Sequence, residues 1–105
     1  MVLGGKEVNH LQTIFVTRRE EMTQEGNPCC FDYFVLVEEA SVGDTFLCES
    51  YGVQITSVRE DQSEICAVPN ITTSTQRIDE LMERLVKHVV TPATLRDVVE
   101  DWLST

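Results

Sequence analysis

Apolar and polar side chains alternate through the first two-thirds of the chain, and after Pro69 the apolar positions recur every three to four residues instead. The first pattern has the period of a strand and the second that of a helix. Leu11, Thr13, Ile14, Phe15, Val16 and Thr17 predict a strand over 10–19, and Glu25, Gly26, Asn27 and Pro28 supply the turn after it. Over 30–39, Phe31, Tyr33, Val35 and Val37 share one face, while Cys30, Asp32, Phe34, Leu36 and Glu38 share the other. Apolar residues at the centre of both faces predict an interior strand. A turn at 40–44 leads to a strand over 45–51, where Gly52 marks a bulge or bend. The segment 53–58 is then a fourth strand or the far arm of a bent third. A polar turn at 59–63 precedes a short last strand over 64–68, which Pro69 confines to an end or an edge.

Ile78, Leu81, Met82, Leu85, Val86 and Val89 form one continuous helical stripe, opposite Asp79, Glu80, Glu83, Arg84, Lys87 and His88. The run 72–75 offers hydroxyl N-caps, and Thr73 with Gln76 has capping-box spacing. Glu83 and Lys87 are placed as a favourable i, i+4 pair. Thr91 and Pro92 predict the end of this helix and the N-cap and first residue of another, whose stripe is Leu95, Val98, Val99, Trp102 and Leu103. Neither helix is long enough to be stable alone, so both stripes must be buried against the sheet. The expected fold is therefore α+β, an antiparallel meander of four to five strands with two C-terminal amphipathic helices packed on one sheet face. Residues 1–8, with two adjacent glycines and no periodicity, read as a flexible N-terminal arm, and 9–105 as a single domain.

Charge narrows the function. Eighteen acidic against eight basic residues give a net charge of −10, a field that repels phosphate backbones and excludes ordinary nucleic-acid binding. Arg18 and Arg19 are followed at once by Glu20 and Glu21. The acidity serves solubility first, with attraction to a basic protein as the lesser alternative. No apolar run is of membrane-spanning length, and the N-terminus lacks the apolar stretch of a signal peptide, so a cytoplasmic protein away from membranes is expected.

Candidate chemistry is sparse. Cys29, Cys30, Cys48 and Cys66, with His10 or His88, could build a thiol- or metal-dependent site, but no CxxC pair holds two thiolates on one ion, and adjacent strand residues point to opposite faces. Free thiols are expected, and His88 suits the C-terminal end of a helix. Asp97, Glu100 and Asp101 share a helical face, the polar one, where solvated charges belong. There is no phosphate loop, dinucleotide fingerprint, nucleophile elbow or HExxH. These features expect no catalytic residues and no cofactor.

Tyr51-Gly52-Val53 and the run from Val90 through Thr91, Pro92, Leu95, Asp97, Val99 and Trp102 to Leu103 resemble an uncharacterised family of small proteins from Gram-positive anaerobic bacteria, over about 10–103. The resemblance implies a bacterial cytoplasmic setting and carries no site residues. The expectation from the residues themselves is a protein-interaction or self-associating module. Two helices can cover only one sheet face, so apolar side chains left exposed, around Tyr33, Phe34, Phe46 and Leu47, would mark the contact with a protein partner or a second copy.

Overall fold

The computed structural model describes residues 7–42 and 45–104. Four strands, β1 (Glu7–Met22), β2 (Pro28–Val42), β3 (Thr45–Arg59) and β4 (Gln62–Thr72), are followed by helices α1 (Thr75–Lys87) and α2 (Leu95–Leu103). The strands pair antiparallel in the order β1-β2-β3-β4, so the sheet is a meander with β2 and β3 inside. Of the expected arm, residues 1–6 lie outside the described residues, and Glu7 and Val8 belong to β1. Gly43 and Asp44 of the expected 40–44 turn also lie outside them.

Thr23 and Gly26 close the first turn. The Thr23 amide donates to the Asn27 carbonyl at 2.8 Å, the Gly26 amide to the Thr23 carbonyl at 2.9 Å, and Gly26 takes the positive φ of 86° that the reversal needs. Pro28 follows as the first residue of β2, the strand position where a missing amide donor does least harm.

Gly52 does not divide two strands. β3 runs unbroken through it, and the irregularity lies across from it, where the register jumps from Tyr51↔Thr72 to Val53↔Val68. Pro69, Asn70 and Ile71 on β4 stand against the single residue Gly52 on β3. A Cβ on Gly52 would run into the Val68 carbonyl and the Pro69 Cα, so this close backbone approach requires glycine. Asn70 supplies the left-handed turn at φ 58° and accepts a hydrogen bond from Ser50. Pro69 therefore sits inside β4, tolerated at a bulge on an edge strand, and the expected end of that strand moves to Thr72.

Both helices lie on the face bearing Phe31, Tyr33 and Val35 of β2 and Val53 and Ile55 of β3. Tyr33, Val53, Ile55, Leu81, Leu85 and Leu95 are completely buried there, with Ile78, Met82, Val99 and Trp102 nearly so. Each such side chain contributes ~1.5–3 kcal/mol when sealed from water. Arg77 of α1 lies over the Trp102 ring of α2, 4.2 Å from its centroid, and ties the helices together.

The helix termini differ from the sequence expectation. Ser74, rather than Thr73, is the N-cap of α1, its hydroxyl accepting from the Arg77 amide at 3.2 Å, and Gln76 reaches forward to Glu80. At the other end Val89 leaves the helix with φ 49°. The Val90 amide donates to the Leu85 carbonyl at 3.0 Å and the Val89 amide to the Val86 carbonyl at 3.2 Å. This is a Schellman closure with a β-branched residue in the position that favours glycine. It turns Val90, not Val89, into the core. Thr91–Thr94 forms a separate turn, with the Thr94 amide donating to the Thr91 carbonyl, so α2 begins after Thr94 rather than at Pro92. Leu103, expected in the stripe, is 53% exposed at the last turn of α2.

Candidate functional site

Side chains alternate across a strand, so the register assigns every sheet residue to the helix-covered face or to the opposite one. The open face carries Leu11, Thr13, Phe15 and Arg18 from β1, and Cys30, Asp32, Phe34, Leu36 and Glu38 from β2. β3 adds Cys48, Gln54, Thr56 and Val58, and β4 adds Ile65 and Ala67. No element packs over it among the described residues. A bulge at Val16 shifts β1 so that Phe15 stands opposite Phe34 and Thr17 opposite Tyr33. The Phe15 and Phe34 rings meet edge to face with centroids 5.6 Å apart. Around them Leu11 is 60% exposed, Phe15 57%, Val58 48% and Ile65 66%. Leu36, beside the bare backbone of Gly52, is the one nearly buried large apolar residue here.

Charge on this face comes from Arg18, Glu20, Asp32 and Glu38, of which Arg18 and Asp32 are paired. The Arg18 Nε donates to Asp32 Oδ1 at 2.7 Å and its Nη2 to Oδ2 at 3.0 Å, a bidentate pair across β1 and β2. This bonding holds the Asp32 carboxyl below the ordinary carboxylate range. The acidic excess lies elsewhere, with Asp79, Glu80 and Glu83 on the exposed side of α1 and Asp97, Glu100 and Asp101 on that of α2.

The four aromatic and aliphatic residues expected to mark a contact surface separate. Phe34 is part of the open face and half-buried against Phe15. Phe46, at the β2–β3 hairpin, is 56% exposed. The Leu47 side chain lies outside the described residues. Tyr33 is a correction: it is completely buried, because its face is the one the helices cover, and its hydroxyl donates to the Val90 carbonyl at 2.9 Å. Burial pushes its phenol up to about 12. The exposed open-face residues that sequence reasoning missed are Leu11, Phe15, Val58 and Ile65. Leu11 and Ile65 follow polar residues and Phe15 lies in the apolar run 14–16, so their strand positions were readable, but not which face the helices would choose.

The cysteines scatter. Cys29 and Cys66 lie on the helix-covered side, while Cys30 and Cys48 lie on the open one, set about ten residues apart along the strands, or roughly 33 Å. All four are free, and among the described residues no three His, Cys, Asp or Glu side chains gather into a metal-binding group. His88 is exposed at the C-cap of α1. The His10 side chain lies outside the described residues.

Two hollows flank the helices. One, of about 430 Å³, lies between α1 and the edge strand, lined by Val16, Val35, Met82 and Val86 with Asp79, Glu83 and Lys87 at its rim. The other, of about 200 Å³, lies beneath the turn joining the helices, at the β3–β4 hairpin end of the sheet. No helix among the described residues is long and apolar enough to cross a membrane. Neither the curated proteins nor the solved structures include a match to this chain. A family model matches residues 12–105, from within β1 through both helices, and the chain belongs to that family, DUF6514, a family of unknown function.

Proposed function

We propose that this protein is a self-associating module, in which the open sheet face of one copy packs against that of a second. The supporting observation is the uncovered apolar cluster of Leu11, Phe15, Phe34, Val58 and Ile65 on the face opposite the helices. Area favours a second copy. Four strands spaced ~4.8 Å apart, with about 12 residues each at ~3.3 Å, present a face on the order of 800 Å². A stable interface takes roughly 800 Å² from each partner. Charge favours it as well. A basic partner would seek the acidic outer sides of α1 and α2, whereas the open face, with Glu20 and Glu38 beside the Arg18–Asp32 pair, is centred on apolar side chains that suit another apolar sheet. Aligned packing of two such faces, with side chains interdigitating, is a common way for sheets to bury one side.

Sedimentation equilibrium over a range of concentrations is the test. A dimer is expected, and Phe15→Glu with Ile65→Glu should give a monomer with an unchanged far-UV circular dichroism spectrum, because neither side chain supports the helix-covered core. A wild-type protein that stays monomeric throughout, or a double variant that dimerises as well as the wild type, would remove the proposal.

A further inference from the structure

The smaller hollow is independent of how the open face is used, and its walls have a definite chemistry. Two adjacent rows of the sheet form its floor: Phe31, Ser57 and Glu64 lie side by side across β2, β3 and β4, and Arg59 stands opposite Gln62 in the next row. Pro92, from the turn between the helices, closes the top. Ser57 is the buried polar side chain among the described residues, 9% exposed, and it lines this cavity with no side-chain hydrogen bond to any described residue. No fully buried side-chain oxygen or nitrogen among the described residues lacks a partner, so the Ser57 hydroxyl stays open to the cavity, where solvent or a ligand can bond it. Arg59 and Glu64 stand diagonally across β3 and β4 on its rim, and neither takes part in an ion pair among the described residues.

We infer that this cavity binds a small zwitterion, with the chemistry of a free aliphatic α-amino acid. Its carboxylate is held by the Arg59 guanidinium and the Ser57 hydroxyl, its ammonium by Glu64. Opposite charges on one rim select against simpler ligands. A plain anion is repelled by Glu64 and by the net charge of −10, and a plain cation by Arg59. Phe31 and Pro92 offer the apolar wall for a short side chain. A volume of about 200 Å³ lies below the ~300–1,000 Å³ of sites for drug-sized molecules, so the ligand is small.

Titration calorimetry of the full chain with valine tests this, alongside N-acetylvaline, which lacks the ammonium, and valinamide, which lacks the carboxylate. Saturable binding of valine is expected, with each analogue at least about tenfold weaker. Arg59→Gln and Glu64→Gln, both at exposed positions that leave the fold intact, should each weaken valine binding by about tenfold or more. Amide shifts in an NMR titration should centre on Ser57 and Glu64. No saturable heat with valine overturns the inference, and so does N-acetylvaline or valinamide binding as tightly as valine itself.

Discussion

Tyr33 and Phe34 are adjacent in the chain and nearly alike in side chain, yet one is sealed in the core and the other stands on a surface that nothing covers. The sheet presents apolar residues on both faces, but only one has helices to pack against it. On that face Val53 and Ile55 meet Leu81, Leu85, Leu95 and Trp102, so the apolar area at its centre is removed from water within the chain, while Ile14 at the β1 edge stays 48% exposed. On the other, Leu11, Phe15, Val58 and Ile65 keep about half or more of their surface in solvent. Apolar content therefore does not fix burial; the number of elements able to cover a face does. The chain spends its two amphipathic helices on one side, and the molecule, 56 Å in its longest dimension, is far longer than the ~20 Å of a 13-residue helix. The second copy proposed above would supply the cover that the open side lacks among the described residues.

The largest expected contrast comes from removing matched bulk on each face. Leu85→Ala should lower stability by ~2–5 kcal/mol, because Leu85 is completely buried and its neighbours cannot all relax into the space left. Phe15→Ala removes more atoms but should change the stability of the monomer by less than about 1 kcal/mol while weakening association. Urea unfolding at low concentration separates the two. Equal losses of monomer stability would mean that both faces are already covered within one chain.

The comparison also shows what a sequence can disclose. The faces of β2, the interior position of that strand, the bulge at Gly52 and the helical stripes apart from Val89 and Leu103 follow from alternation, period and backbone chemistry, and reappear in the structure. The choice of face does not, because Phe31, Tyr33 and Val35 are no more apolar in pattern than Phe34 and Leu36. Nor is the three-residue excursion at Pro69 to Ile71 legible, since bulge length is set by the register β4 must recover against Tyr51. The Schellman turn at Val89 was hidden because valine is the wrong residue for it. The cavity under Pro92 depends on where the turn between the helices lands, which no local signal specifies.

Tyr33 gives the next effect in size. Tyr33→Phe leaves the Val90 carbonyl without its donor at the place where the turn between the helices meets the sheet, and should destabilise by ~1–3 kcal/mol. Because the folded-state phenol is raised to about 12 from an ordinary ~10, its stabilisation is full below the unfolded value. It is lost as pH rises through the folded one, where the unfolded chain releases its proton first. Thermal or urea unfolding across that alkaline window should fall with pH in the wild type and show a shallower fall in Tyr33→Phe. A Tyr33→Phe protein with the wild-type slope would mean that the buried hydroxyl is not what ties the helices to the sheet.

Val89→Gly should act on the covered face in the opposite direction. A β-branched residue at φ 49° pays for a left-handed conformation that glycine adopts freely, so the substitution should raise stability by ~0.5–1 kcal/mol after glycine's extra chain entropy is subtracted. A rise in urea midpoint with unchanged slope is the expected reading. A lower midpoint would show that the Val89 side chain contributes more to the packing than its backbone conformation costs.

The smallest effect belongs to the polar part of the open face. Arg18 and Asp32 form a bidentate pair, but the Arg18 side chain is 53% exposed, so a double-mutant cycle on the monomer with Arg18→Ala and Asp32→Ala should give only a small coupling, the smallest effect of this set. Because Arg18 holds the Asp32 carboxyl low, this contribution is present above the ordinary carboxylate range and lost as pH falls through the lowered folded value. The same cycle measured at concentrations where two copies associate should give a larger coupling. Packing a second sheet over the pair removes solvent screening, and truncating either partner then leaves a charge buried without its mate. Coupling that is independent of concentration would mean that the interface, if formed, leaves Arg18 and Asp32 in water, and would place the contact nearer Leu11 and Phe46 at the other end of the sheet.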